Sequence, residues 1–101
     1  MSSMNFRRDL ADYLSSTGEI YTVRKYQYDL TQPYIFVLGS GRCKREFVCE
    51  VLSKTDMLPY AEKSGLGTVD KWWTTLMAIN PGRSGRTFYM YRVTKAPKDG
   101  N

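Results

Sequence analysis

The stretch "DKWWTTLMAINPGRSGRTFYMYRV", from Asp70 to Val93, places a helical pattern and a strand pattern on either side of one loop. Before the loop, apolar residues at helical spacing predict a helix over 68–80. These residues are Val69, Trp72, Trp73, Leu76 and Met77. Thr68 is a favourable N-cap, and Pro81 follows the predicted helix end. After the loop, alternation over 87–95 predicts a strand, so the stretch indicates a mixed α+β fold.

The sequence before this stretch predicts one more helix and three strands. Residues 5–16 carry an apolar stripe typical of a short helix, with Asn5 as its cap and Gly18 at its end. Segments 19–28, 33–41 and 45–53 predict strands, because they are rich in β-branched and aromatic residues. The segment 33–41 is a continuous apolar run, so we expect it to be buried on both faces. Residues 54–67 are interpreted as a loop that includes at most a helical turn.

The resulting order is α-β-β-β-α-β in a single domain over 1–101, with a frayed tail at 96–101. Short connections between strands favour antiparallel pairing. We therefore expect a small, mainly antiparallel curved sheet or pseudobarrel with two helices. In 45–53, alternation predicts that Phe47, Cys49 and Val51 point one way. The expected core comprises Val23, Ile35, Val37, Phe47, Leu76 and one of Trp72 and Trp73.

The composition favours an anionic partner. Fifteen Lys and Arg residues against ten Asp and Glu give a formal charge of +5 and a pI near 9.3. A basic surplus attracts polyanions through phosphate contacts, although many basic domains bind nothing anionic. The eight tyrosines are unusual, and Tyr combines an apolar body with a polar tip that suits binding faces.

Several functional classes lack their usual residues. The chain has no histidine, no phosphate-binding loop with the Gly-Lys-Ser/Thr pattern and no nucleophile elbow. Cys43 and Cys49, six residues apart on one strand, would be separated by about 20 Å, which predicts reduced thiols and a cytoplasmic location. No apolar run approaches a membrane span and the N-terminus does not resemble a signal peptide. We expect no cofactor, no metal and no membrane association, although an enzyme using Lys, Tyr, Asp or Glu alone stays open.

Basic residues cluster in three places, "RKYQY" (24–28), "GRCKRE" (41–46) and "PGRSGRTFYMYR" (81–92), and in the first and third they interleave with aromatic residues. Such interleaving is typical of surfaces that hold phosphates and unstacked bases together. The structural alternative is a solvated sheet face with cross-strand packing of Tyr and Arg. For the adjacent pair Trp72 and Trp73, one is expected in the core and the other at its edge. The functional alternative is that the edge tryptophan is a platform on which a base stacks.

The segment "FVCEVLSKTDM…TVDKWW…TFYMYRV" resembles the latter part of small PUA-like β-barrels, especially the ASCH and EVE groups. "YTVRKY" is similar to the early strand of those domains. The resemblance covers about residues 18–95 and implies RNA or a modified base held in a basic, aromatic cleft. On that resemblance, the cleft is lined by Thr22, Arg24, Arg42, Lys44 and Trp72. The turn before the first strand is "STGEIYT" and lacks the Gly-Lys-Lys-Thr-like sequence frequent there.

The function expected from the sequence is a non-catalytic module that binds RNA or another single-stranded nucleic acid. The predicted binding residues are Thr22, Arg24, Tyr26, Arg42, Lys44, Trp72, Arg83, Arg86, Tyr89 and Arg92. The alternative is a small protein-interaction or inhibitor module of phage or virus type that uses a Tyr/Trp/Arg surface. A concave basic cleft would favour nucleic acid, and a flat exposed aromatic patch would favour a protein. The oligomeric state is left open.

Overall fold

A curved antiparallel sheet with helices packed on both of its faces forms this α+β fold. The computed structural model describes residues 2–82 and 85–96. Its elements are β1 (Ser2–Ser3), α1 (Arg8–Thr17), β2 (Glu19–Arg24), β3 (Tyr34–Val37), β4 (Gly41–Val51), a 3-10 helix (Lys54–Lys63), α2 (Val69–Ile79) and β5 (Phe88–Lys95). The predicted α+β class is confirmed. The segment 54–67, interpreted as a loop, contains the 3-10 helix, so the fold has a third helix beside the two expected ones.

The strands lie in the order β1-β3-β4-β5-β2, so the sheet is open and β2 is an edge strand. All neighbours from β3 to β2 are antiparallel, and Ile20 in β2 lies opposite Val93 in β5. The sequence did not predict β1, a two-residue strand that pairs in parallel with β3. It also placed the end of β2 four residues too late, since the strand stops at Arg24.

Two separate hydrophobic cores lie on opposite faces of the sheet. In β2, the adjacent residues Thr22 and Val23 are both buried, and so are Met90 and Tyr91 in β5. Because successive side chains of a strand point to opposite faces, the buried face of the sheet switches from one side to the other at this level. The first core joins α2 and the 3-10 helix to the sheet and includes Met57, Trp72, Leu76, Phe88 and Met90. The second core joins α1 to the sheet and includes Leu14, Ile20, Ile35, Cys43 and Val93.

A β-bulge in β4 corrects the prediction for Phe47. Phe47 lies opposite Tyr91 and Cys49 opposite Met90, so one extra residue separates the two pairs. Because a bulge moves the following side chains to the other face, Phe47 no longer shares a face with Val51. Phe47 is 42% exposed, whereas Val51 is fully buried. The other expected core residues are buried; they are Val23, Ile35, Val37, Leu76 and Trp72, with Trp73 at the core edge.

Strand β3 is buried on one face only, contrary to the prediction. Ile35 and Val37 are buried, while Tyr34 and Phe36 are 37% and 44% exposed. The buried pair packs in the α1 core, and the aromatic pair lies on the opposite face beside β4. An apolar run therefore does not distinguish a doubly covered strand from one with an exposed aromatic face.

The helix ends are partly as predicted. Gly18 ends α1 in the left-handed region, at φ 84°, and Thr68 caps α2 by accepting a hydrogen bond from the Lys71 amide at 3.2 Å. Asn5 does not cap α1, because that helix begins at Arg8 after an extended Arg7. At the other end of the chain, Ala96 still donates to the Arg42 carbonyl, and the rest of the predicted frayed tail lies outside the described residues.

Candidate functional site

A cavity of about 400 Å³ lies along the free edge of β2, between the start of α1 and one side of α2. Its cationic lining residues are Arg7, Arg24 and Lys25, and its aromatic ones are Phe6, Tyr26, Tyr28 and Trp72. None of its lining residues is Asp or Glu. Four of the predicted binding residues meet here, namely Thr22, Arg24, Tyr26 and Trp72. The cavity is therefore a concave, basic and aromatic site.

Arg24 is fixed in the wall of this cavity. Its Nε donates to Thr22 Oγ1 at 3.0 Å, and one terminal nitrogen donates to the Asn5 carbonyl at 2.8 Å. Its guanidinium also lies 4.8 Å from the centre of the Phe6 ring. Burial lowers the pKa of Arg24 below its usual value, yet arginine stays protonated in proteins. The result is a positive charge held in one position by neutral acceptors.

The aromatic residue at the cavity mouth is Tyr26, whose side chain is 62% exposed. Lys25 Nζ lies 5.2 Å from the centre of the Tyr26 ring, so a cation and an aromatic face lie together. Trp72 is only 5% exposed and lines the cavity from inside the first core. Trp72 is therefore the core member of the tryptophan pair, and Tyr26 offers the accessible stacking surface.

Arg45 is a buried cation that the list of predicted binding residues omitted. It is 4% exposed, and its guanidinium carbon lies 4.1 Å from the centre of the Tyr28 ring and 5.9 Å from that of Tyr91. Within the described chain, its Nε has no hydrogen-bond partner. The only signal in the sequence is its position two residues after Cys43, on the inward-facing register of β4.

Tyr89 is half-buried and lies directly opposite Arg24 in the pairing of β2 with β5. By alternation it shares a sheet face with Tyr91, which is fully buried. The predicted residue Tyr89 therefore lies beside the same group of arginine and tyrosine side chains, although it does not line the cavity.

Arg42 and Lys44 lie elsewhere. They pair with Phe36 and Tyr34 on the exposed face of the β3–β4 hairpin. The guanidinium carbon of Arg42 lies 4.0 Å from the centre of the Tyr34 ring, in a cation–π contact. These two residues thus form a second basic and aromatic surface, distant in register from Arg24. The tertiary structure divides the residues that the PUA-like resemblance places in one cleft.

Arg92 takes part in a cluster of charges across the sheet. It forms ion pairs with Glu19 and Glu46, and Glu19 also pairs with Lys63 at 3.0 Å. The hydrogen bond from Lys63, followed by that from Arg92, holds the pKa of Glu19 below its usual value. Two carboxylates therefore balance the charge of Arg92.

Arg86 is exposed in the loop before β5 and does not line the cavity. The predicted residue Arg83 lies outside the described residues. In the described ranges, no group of three His, Cys, Asp or Glu side chains is arranged to hold a metal ion. No helix there has the length and apolar character needed to cross a membrane.

Comparisons of the chain with protein-family models, with curated proteins and with solved structures gave no match.

Proposed function

We propose that this protein is a non-catalytic module that binds single-stranded RNA or DNA in the cavity along β2. The observation that carries the proposal is the lining of that cavity, which brings together three cations and four aromatic side chains. Asp9 pairs with Arg7 at 2.8 Å but is not part of the lining, and no carboxylate of the described residues pairs with Arg24 or Lys25. Phosphate groups are attracted to the cations, and unpaired bases stack on the aromatic faces. The PUA-like resemblance and a cytoplasmic location, which the free thiols of Cys43 and Cys49 support, belong to the same proposal.

The size of the cavity favours a single strand over a duplex. A volume of about 400 Å³ is in the range of small-molecule sites and suits one splayed nucleotide. Bases within a duplex are stacked and paired, so they cannot enter such a site without being flipped out. Stacking of one base on Tyr26 would contribute roughly 1–3 kcal/mol whatever the base.

Fluorescence anisotropy tests this proposal with a labelled single-stranded RNA, a single-stranded DNA of the same sequence and the matching duplex. We expect both single strands to bind more tightly than the duplex, with affinity that falls as salt rises. The absence of single-strand binding at low salt would overturn the proposal, as would affinity that does not depend on salt.

Two variants locate the binding surface, and each has a matched control. Tyr26→Ala removes the exposed ring at the cavity mouth, and Phe36→Ala removes an exposed ring on the other sheet face. Lys25→Ala removes a cavity cation, and Lys71→Ala removes an exposed cation on α2 outside the cavity. We expect weaker binding for the two cavity variants and unchanged binding for the two controls. Weaker binding in Phe36→Ala, with unchanged binding in Tyr26→Ala and Lys25→Ala, would move the site to the β3–β4 face.

A protein-interaction module is the second candidate, favoured by one specific observation. Tyr34, Phe36 and Leu38 form an exposed row at 37%, 44% and 80% exposure. Aromatic rings flanked by arginine are enriched at protein interfaces. A pull-down with and without nuclease distinguishes the two candidates. Retention of one protein that resists nuclease and is lost in Phe36→Ala would favour this function; retention that nuclease abolishes would favour nucleic acid.

A further inference from the structure

We propose that Arg24 and Arg45, which both approach Tyr28, form a binding site for a phosphate monoester, supplied by the end of the bound nucleic acid strand. This inference rests on the proposed function and specifies which group of the ligand the protein recognises. Its evidence is that no Asp or Glu side chain among the described residues pairs with either guanidinium group, and each arginine contributes a separate observation.

Arg45 is a buried cation, and its neighbours offset only part of the free-energy cost of burying that charge. It is 4% exposed, its Nε has no partner among the described residues, and its closest charge-stabilising contacts are the rings of Tyr28 and Tyr91. Burying an ion is unfavourable unless it is paired and hydrogen-bonded. A tyrosine face attracts the guanidinium but accepts no hydrogen bond from Nε in this arrangement. An anion would supply the missing acceptor.

Arg24 adds a second positive charge close to the first. Its hydrogen bonds go to two neutral oxygens, Thr22 Oγ1 and the Asn5 carbonyl. Burial lowers the pKa of Arg24, the adjacent Tyr28 hydroxyl partly offsets this effect, and the charge of Arg45 makes a smaller contribution that lowers the pKa further. Ion pairs in the described part of the chain involve Arg7, Lys54, Lys63 and Arg92, and no carboxylate there pairs with Arg24 or Arg45. Among the described residues, these two like charges thus have no carboxylate as a counterion.

The chemistry of the two groups selects the ligand. Guanidinium groups match phosphate oxygens with paired N–H donors, and two such groups provide two positive charges. A phosphate monoester carries a charge of about −1.5 to −2 at neutral pH, whereas a phosphodiester within a strand carries one negative charge. The monoester therefore balances the site better, and in a nucleic acid strand it occurs only at an end. Arg24 and Tyr28 also line the cavity, where the terminal base would lie beside Tyr26.

Inorganic phosphate provides a direct probe that is independent of strand binding. The ¹H–¹⁵N signals of the arginine Nε–H groups are recorded while phosphate is added at constant ionic strength, with chloride as the balancing anion. We expect saturable shifts for Arg24 and Arg45 and none for Arg92, whose charge two carboxylates already balance. Absence of a saturable shift at Arg24 and Arg45 would overturn the phosphate site.

Three otherwise identical single-stranded RNAs identify the source of the phosphate. One carries a 5′-phosphate, one a 3′-phosphate and one hydroxyl groups at both ends. We expect one phosphorylated strand to bind about tenfold more tightly than the hydroxyl strand, which corresponds to about 1.4 kcal/mol. Equal affinity for all three would overturn the strand-end assignment and leave the proposed function intact. If no strand binds while the phosphate shifts persist, the proposed function fails and the phosphate site stands.

Arg24→Met and Arg45→Met remove each guanidinium at similar volume, and Arg8→Met on the exposed face of α1 is the matched control. We expect the tenfold preference to disappear in the first two variants and to persist in the control. Arg45→Met should fold, because replacing an unpaired buried charge by an apolar side chain is often neutral or stabilising. Arg45→Lys provides a second test, since it keeps the charge and should keep part of the preference. A preference that survives both Arg24→Met and Arg45→Met would overturn the proposal.

Discussion

The backbone amide of Tyr28 donates a hydrogen bond of 2.7 Å to the hydroxyl oxygen of Tyr91. The two rings also meet edge to face, with centres 5.2 Å apart and planes inclined at 63°. Tyr91 is fully buried in β5, while Tyr28 follows the end of β2. This contact fixes the segment after β2 against the sheet, and it carries the ring of Tyr28 to the two arginines of the proposed phosphate site.

Replacing Tyr91 by Phe tests how much the hydrogen bond from the Tyr28 amide contributes to the stability of the fold. The Tyr28 amide would lose its acceptor in a partly buried position, so the free energy of unfolding should fall by about 1–3 kcal/mol. Urea denaturation measures this loss. Tyr34→Phe is the control, because its exposed hydroxyl should matter by less than about 0.5 kcal/mol. Equal stability of Tyr91→Phe and wild type would show that water replaces the lost acceptor.

Replacing Trp72 or Trp73 by Ala should lower the stability of the protein by clearly different amounts. Trp72→Ala removes a ring that is 5% exposed and should lower the free energy of unfolding by about 3–5 kcal/mol. Trp73 packs at the edge of the same core, so Trp73→Ala should have a clearly smaller effect. Thermal and urea denaturation of both variants measure the difference. Similar losses for the two would mean that the edge position contributes as much as the core position.

Replacing the arginines at 83 and 86 tests whether the bound strand extends beyond the cavity to the loop 81–86. Combined replacement of Arg83 and Arg86 by Ala should lower the slope of log affinity against log salt by about two, one unit for each phosphate contact. Stability should change by less than about 0.5 kcal/mol for each of the two replacements. Anisotropy titrations at four or more salt concentrations give the slope. An unchanged slope would place the bound strand away from this loop.

Acid should weaken the fold partly through Glu19. Since the folded pKa of Glu19 is held below its usual value of 4.5, the unfolded chain binds more protons between the two values. The stabilisation is therefore complete above about pH 4.5 to 5 and is lost as the pH falls through the folded pKa. Glu19→Gln should be less stable at pH 7, by at most about 1 kcal/mol because solvent screens the ion pairs. In urea denaturation at pH 7, 5 and 3, this difference should shrink towards the lowest pH, and a constant difference would contradict the assignment.

The two thiols should react slowly and in a fixed order. Burial raises the pKa of Cys43 and of Cys49, which lowers the thiolate fraction at neutral pH. Cys43 is fully buried and Cys49 half-buried, so iodoacetamide should modify Cys49 first. Mass spectrometry of timed samples at pH 7 and pH 9 measures both rates. Faster labelling of Cys43 in the folded protein would show that the α1 core opens locally.

The sequence predicted part of the candidate site, because some of its residues are close neighbours along the chain. Thr22 and Arg24 alternate along β2, so their shared face followed from period two alone, whereas Tyr26 lies beyond the end of that strand. Trp72 lines the same cavity only because α2 packs against the edge of β2. The local sequence pattern of either segment does not predict that packing. Arg45 was not predicted as a site residue, because a charged residue is expected to face water unless its burial is known.

Local periodicity determined the helices, most of the strands and the α+β class, since residues within a few positions of one another set those patterns. The tertiary structure alone decided which face each strand buries. Pairing with β5 places the bulge between Phe47 and Cys49, and that bulge exposes Phe47 and separates Cys43 from Cys49 across the sheet. It also decided that Arg24 and Arg45, 21 positions apart, approach the same tyrosine. Strand pairing and helix packing are long-range contacts, and their energies depend on partners that the pattern of one segment does not specify.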